Sequence, residues 1–157
     1  ALPIFTDIPV EAVAARKAQH LRNIGELDYR RSLLLLKQRG LRQKVIADLV
    51  KVSQPNVQKV LQRAATTPMP REGFSGADPY EICERYAAGL IDRVQLVDEL
   101  TRWEYVPRDR TKDAFDDLLF DVPGSVDDLD RALSRGLIDD ELYDEIGDGI
   151  EARMTAA

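Results

Sequence analysis

Residues 40–61 have the sequence GLRQKVIADLVKVSQPNVQKVL, in which two short amphipathic patterns flank a brief turn. Gly40 is expected to end a preceding helix, and Ala47 is small where a neighbouring helix must approach closely. The apolar positions expected to face inward are Val45, Ile46 and Leu49 in the first pattern and Val57, Val60 and Leu61 in the second. Because these spacings of three and four place side chains on one face, the stretch predicts two short packed helices.

The residues between the two patterns have the chemistry of a helix start. Val52 is expected to fill the turn with apolar surface. Ser53 can accept a hydrogen bond from the first free backbone N–H groups of the following helix, and Pro55 fits its first turn. The second helix is therefore predicted to begin at Gln54.

The face of this second helix opposite its apolar stripe carries amides and an amine and no carboxylate. Its members are Gln54, Asn56, Gln58, Lys59 and Gln62. Asn and Gln can pair bidentately with adenine, and Lys can reach guanine or a phosphate. The composition of this face favours contact with base edges of DNA.

Residues 41–63 resemble the helix-turn-helix transcription regulators of bacteria and phages, broadly the Cro and repressor type. The positions that carry the resemblance are Gln43, Ala47, Val52, Ser53, Val57 and Leu61. Lys51 departs from the pattern, because many members have glycine at that position of the turn, where the left-handed conformation strains other residues.

The resemblance implies a mode of DNA binding in which the helix beginning at Gln54 lies in the major groove. The base-reading residues would be Gln54, Asn56, Gln58 and Lys59. The residues at the sugar-phosphate backbone would be Arg42, Gln43, Lys44, Lys51 and Arg63, with further phosphate contacts from some of Arg30, Arg31, Lys37 and Arg39. Such modules normally act as symmetric dimers on near-palindromic sites.

The charges of the 157-residue chain are segregated, although its net charge is only −6. Residues 1–67 contain 12 Lys or Arg and 5 Asp or Glu, whereas residues 68–157 contain 10 and 23. Electrostatic fields are screened beyond about 8–10 Å at physiological salt, so each half presents its own charge. Only the first half is suited to a nucleic acid.

The sequence predicts three segments. Residues 66–79 contain three prolines and two glycines without helical or strand periodicity, and the sign of the charge changes there. We therefore expect a basic helix-turn-helix DNA-binding domain over residues 1–67, a linker over 68–77, and a smaller acidic helical domain for protein contacts over 78–157.

The segment from Pro9 to about Arg39 predicts one long leading helix, or two helices broken near Gly25. It ends in four consecutive leucines, Leu33–Leu36. One stripe cannot bury all four, so we expect a second side of this helix to be covered by another element or by another chain, and a dimer contact is one candidate.

The second half contains an internal repeat offset by 47 residues. Residues 78–89 and 125–136 each run from a candidate helix N-cap to a glycine followed by Leu-Ile-Asp. In each, the glycine is expected to end one helix and the aspartate to cap the next. Asp78 with Glu81 fits a capping box. Strand signals are weak, at Trp103–Val106 and Leu118–Val122 only, so the fold class predicted is all-α.

The sequence offers little for catalysis or metal binding. His20 and Cys83 are single and without patterned partners, and we interpret them as a solvent-facing helical residue and a small core residue. The acidic residues lack the spacing of a calcium loop, and nothing selects a catalytic pair such as Asp116 and Asp121 over others. We therefore predict no enzyme, no cofactor and no metal. The absence of a long apolar run and of a secretion signal at the start predicts a cytoplasmic protein that does not contact a membrane.

Two hypotheses for function follow. The first is a sequence-specific regulator that binds double-stranded DNA as a dimer, more readily a repressor than an activator. The second is an antitoxin-like inhibitor, whose acidic half neutralises a basic partner protein while the N-terminal half binds its own operator. For contacts with a partner protein, the aromatic anchors to test first are Trp103 and Tyr105.

Overall fold

The computed structural model describes residues 7–107 and 122–156. The helices in these ranges are α1 (Val10–Gln38), α2 (Gln43–Val50), α3 (Gln54–Ala64), α4 (Pro79–Ala87), α5 (Arg93–Arg102), α6 (Asp127–Ser134) and α7 (Asp140–Ala156). No strand is formed within the described ranges, which confirms the all-α prediction. Trp103–Val106 has no regular structure, and most of the second strand candidate, together with Asp116 and Asp121, lies outside the described residues.

Two compact units are distinguished by their internal contacts. One contains residues 22–69, and the other contains the described residues up to Leu21 and from Pro70 onward. Helix α1 is continuous through Gly25, so the first of the two alternatives, one long helix, is confirmed. Its first twelve residues belong to a different unit from the rest. These bounds differ from the ranges 1–67 and 78–157 that composition suggested, because residues 7–21 group with the acidic half.

The unit of residues 22–69 is built on α2, α3 and the second part of α1. Its core contains Leu33 from α1, Ile46 and Ala47 from α2, and Val57, Val60 and Leu61 from α3. The prediction for α3 is confirmed, since its three apolar positions are all buried. For α2 it is wrong in part, because Val45 and Leu49 are 41% and 61% exposed. The half-buried Val50 completes the inward face of α2 instead.

The four leucines at the end of α1 are divided between environments. Leu33 is 1% exposed, whereas Leu35 is 49% exposed and the other two are half-buried. On another side of the same helix, the buried Arg31 donates to the carbonyl oxygen of Pro68 from Nε at 3.0 Å and from Nη2 at 2.8 Å. The second covered side is thus a polar contact with the chain after α3, and Arg31 is not available for a phosphate.

The second unit, which we name the acidic unit, contains the predicted repeat as two helix pairs, α4 with α5 and α6 with α7. Asp78, Asp92 and Asp139 each accept a hydrogen bond at 2.8 Å from the backbone N–H three residues further on. The glycines that end α4 and α6, Gly89 and Gly136, have φ of +80° and +75°, which L side chains rarely adopt. The start of α6 differs from the prediction, because Ser125 precedes the capping position and its Oγ accepts from the Asp127 N–H.

The core of this unit joins both helix pairs around Ile82, Leu96, Leu129 and Ile146. Cys83 is fully buried in it, as predicted. His20 is not solvent-facing as expected: its side chain is 16% exposed, and Nδ1 lies 3.0 Å from Oε2 of Glu84. A contact across 64 positions of sequence explains why local pattern placed this histidine wrongly.

Candidate nucleic-acid interface

Helix α3 presents a polar face opposite the stripe that it buries. Val57, Val60 and Leu61 point into the core, and Ala64 extends the same stripe to 1% exposure. The four predicted base-reading residues are all exposed: Gln54, Asn56, Gln58 and Lys59. Gln62, one turn beyond Gln58, extends the exposed face toward the end of the helix.

The start of α3 is fixed by its cap. Ser53 has extended backbone angles, and its Oγ accepts a hydrogen bond from the Asn56 N–H at 3.3 Å. Pro55 occupies the first turn, where it has no hydrogen bond to lose. Both features agree with the sequence prediction, and they define the orientation from which the first exposed side chains of the helix project.

The turn between α2 and α3 resolves the departure at Lys51. This residue adopts the left-handed conformation with φ 67° and ψ 41°, and it is the only non-glycine residue with positive φ among those the structure describes. Its N–H and that of Val52 both bond to the Ala47 carbonyl oxygen, which closes the end of α2. The lysine therefore occupies a glycine-type position and leaves a cation exposed at the turn.

The predicted backbone-contacting residues lie at the start of α2, at the turn, and near the end of α3. Arg42, Lys44, Lys51 and Arg63 are exposed, and Gln43 is half-buried at the first position of α2. Within the described part of the chain, none of the first three cations forms an ion pair. Arg63 is 65% exposed and lies 4.0 Å from Oε1 of Glu26, which also accepts from Nε of Arg30 at 3.2 Å. The side chain of Arg30 is 25% exposed and is therefore less accessible than that of Arg63.

The unit of residues 22–69 carries ten Lys or Arg residues and only three Asp or Glu. Two of the three acids, Glu26 and Asp28, are beside arginines of α1. The third acid, Asp48, is exposed on α2, where residues 42–63 contain five Lys or Arg, so this part of the unit keeps a net positive charge. A surface with this charge attracts a polyanion through phosphate contacts and counterion release.

One residue of this surface was absent from the sequence prediction. The Tyr29 hydroxyl, on α1, donates to Oδ1 of Asn56 on α3 at 3.1 Å. The ring is half-buried and packs against the core around Leu33. Tyr29 lies one turn before Leu33 on the same face of α1, so spacing alone could have placed the ring here, but not its bond to α3.

The two aromatic residues proposed as partner anchors lie in the other unit. Trp103 is 6% exposed and packs edge-on against Phe74, with ring centroids 4.8 Å apart, beneath the guanidinium of Arg71. The Tyr105 hydroxyl donates to the Leu100 carbonyl oxygen at 2.6 Å, and burial raises the pKa of this phenol well above its ordinary value. Both residues line a cavity of about 620 Å³ with Val106, Pro107, Val126, Ile150 and Met154. Their role in binding a partner stays a prediction.

The acidic unit contains one thiol, at Cys83. Burial raises the pKa of this thiol well above its ordinary value, and the carboxylates of Asp128 and Asp78 raise it further. A thiol in this state is a poor nucleophile at neutral pH. Residues 7–107 and 122–156 contain no cluster of three or more His, Cys, Asp or Glu side chains arranged to hold a metal ion.

The exposed chemistry of the unit of residues 22–69 therefore includes a row of amides on α3 and the Tyr29 hydroxyl that contacts Asn56. It also includes exposed cations at the start of α2, at the turn and near the end of α3. No helix of the described ranges has both the length and the hydropathy that a membrane span requires. Comparison of the chain with protein-family models, with curated proteins and with solved structures found no match.

Proposed function

We propose that this chain is a sequence-specific regulator that binds double-stranded DNA through a helix-turn-helix formed by α2 and α3. In this proposal α3 enters the major groove, and Gln54, Asn56, Gln58 and Lys59 contact base edges. Arg42, Gln43, Lys44, Lys51 and Arg63 contact the sugar-phosphate backbone. The bound protein would act by occupying an operator, most simply as a repressor.

The observation that carries the proposal is the exposed face of α3, which is free of acid. The four base-facing side chains project into solvent from a helix whose other side is fully buried. Burial of the opposite stripe means that this helix cannot turn its amides inward without losing its core. Amides and a single amine offer the donors and acceptors that match the major-groove edges of base pairs.

The exposed cations of α2, of the turn and of α3 supply the second part of the mechanism. Each Lys or Arg that neutralises a phosphate releases condensed counterions, and the logarithm of the binding constant then falls with the logarithm of salt concentration by about 0.9 per contact. Contacts of this kind give affinity and orientation without sequence information. A few amides on one helix read a short site, so the proposal includes a dimer on a near-palindromic operator.

The test combines selection from a pool of randomised duplexes with a salt series on the selected site. We expect enrichment of a defined sequence and a negative salt dependence. Arg42→Ala and Lys44→Ala should each reduce the salt slope by about 0.9 with unchanged base preference. Arg135→Ala, which removes an exposed cation from the acidic unit, is the matched control and should change neither. Absence of sequence enrichment would exclude the proposal, and enrichment without salt dependence would exclude the phosphate contacts.

A second candidate function, the antitoxin-like inhibitor, is favoured by a separate observation on α7. Asp140, Asp144, Asp148 and Glu151 are exposed at spacings of four, four and three, and so they form one carboxylate stripe opposite the buried Leu142 and Ile146. Such a stripe complements a basic protein. Co-expression with the neighbouring gene product separates the candidates: a stable complex lost in Asp144→Lys/Asp148→Lys supports inhibition, and the absence of a complex leaves DNA binding alone.

A further inference from the structure

The side chain of Asn56 accepts a hydrogen bond from another helix, unlike its neighbours on the exposed face of α3. Its backbone N–H donates to the Ser53 Oγ, and its Oδ1 accepts from the Tyr29 hydroxyl at 3.1 Å. The Tyr29 ring is anchored in turn by packing against the core of the unit. Among the described contacts, the side chains of Gln54, Gln58 and Lys59 have no comparable support.

The Tyr29 bond has a chemical consequence for the carboxamide of Asn56. A carboxamide oxygen has two lone pairs, and the phenol occupies one of them. The other lone pair remains available as an acceptor, while the Nδ2 amino group, on the opposite branch of the carboxamide, retains both of its donor hydrogens. An acceptor beside a donor is the pattern that pairs with the N6 amino group and N7 of adenine in the major groove.

We infer that Tyr29 is a positioning residue that orients Asn56 for bidentate recognition of adenine. The inference rests on the proposed function. It adds a specificity determinant, Tyr29, that lies outside the helix-turn-helix stretch, and it names adenine as the base that Asn56 reads. The Tyr29 hydroxyl fixes the plane of the carboxamide before DNA binds, so less rotamer freedom is lost in the complex. Asn56 should accordingly be the most discriminating of the four base-facing residues.

The experiment uses the full-length chain and duplexes that carry each of the four base pairs at every position of the site selected by the wild-type protein. Tyr29→Phe removes the hydroxyl and retains the packed ring. Asn56→Ala identifies the position that Asn56 reads, where we expect A·T to be preferred and the preference to fall by about 5- to 150-fold. Tyr29→Phe should reduce discrimination at that same position by about fivefold, the effect of one neutral hydrogen bond.

Three further measurements distinguish positioning from a merely structural role. The affinity of Tyr29→Phe for a scrambled duplex should be unchanged, and so should its base preference at the other positions of the site. Its thermal unfolding should also be unchanged. The double variant Tyr29→Phe/Asn56→Ala should discriminate no worse than Asn56→Ala alone, because the hydroxyl acts through the amide. Tyr86→Phe, which removes a phenol hydroxyl from the other unit, is the control and should leave every preference unchanged.

The outcomes separate the inference from the proposed function. If the wild-type chain selects no sequence, both are overturned. If it selects a site but Tyr29→Phe leaves the preference at the Asn56 position intact, or weakens all positions equally, the positioning role is wrong and the proposed function stands. A preference for a pair other than A·T at that position overturns the assignment of adenine.

Discussion

Replacing Lys51 by glycine should stabilise the unit of residues 22–69 and at the same time weaken the DNA binding that we propose for it. Lys51 has φ 67°, and the left-handed conformation costs a residue with a Cβ about 1–2 kcal/mol. Glycine removes this strain but loses about 0.5–1 kcal/mol more backbone entropy on folding. The difference is a net stabilisation of about 1 kcal/mol by Lys51→Gly. The same change removes one exposed cation from the turn and with it one phosphate contact of the proposed DNA complex.

Lys51→Ala is the matched variant, because it removes the same cation and retains the Cβ. Hydrogen exchange of the α2 and α3 amides should be about fivefold slower in Lys51→Gly than in Lys51→Ala, as expected for about 1 kcal/mol. In a salt series on DNA, both variants should lose about 0.9 from the slope. Faster exchange in Lys51→Gly than in Lys51→Ala would refute the strain at this turn, and unchanged slopes in both variants would refute the phosphate contact.

Two further predictions concern the acidic unit, whose unfolding can be followed by the fluorescence of Trp103, the single tryptophan of the chain. Gly149→Ala should destabilise this unit by up to about 2 kcal/mol net of the gain in helix propensity, because a Cβ there would lie 2.7 Å from Oγ1 and 3.3 Å from Cγ2 of Thr101. Gly147 is two residues earlier in α7, and a Cβ there would have nothing within 4 Å. Gly147→Ala should therefore stabilise the unit by about 1 kcal/mol in urea unfolding. Equal effects of the two changes would refute the close contact between Gly149 and Thr101. The stability of the unit should also fall as pH rises above about 8.5, since the unfolded thiol of Cys83 then loses a proton that the folded one, with its raised pKa, retains. Cys83→Ala should flatten the pH dependence between pH 7.5 and 9.5, and an unchanged slope would contradict the assignment to this thiol.

The elements with strong local signals were predictable from sequence. The cap at Ser53 and the buried stripe of α3 follow from residue type and spacing within a few positions of each other. The repeated Gly-Leu-Ile-Asp corners are also local, because one glycine with positive φ and one capping aspartate are enough to end one helix and start the next. Each of these features depends on residue types and spacings within a short stretch of the chain.

The inward face of α2 was not predictable in the same way. This helix has only eight residues, and its second half is apolar on most sides, so that spacings of three or four fit more than one face. The face with Val45 and Leu49 and the face with Ala47 and Val50 share Ile46, and packing against α1 and α3 decides between them. The exposure of Val45 and Leu49 therefore results from tertiary packing and not from the local sequence pattern.

The bond between Tyr29 and Asn56 shows most clearly what local pattern omits. The two residues are 27 positions apart, and each has an ordinary local explanation, one as part of a core face and the other as part of a polar face. A base-reading amide acts with the groups that hold its carboxamide, and these come from any helix that packs behind it. If Tyr29 orients Asn56, the specificity of this surface depends on α1 as well as α3, and a change in α1 that never touches DNA will alter which base pair is preferred.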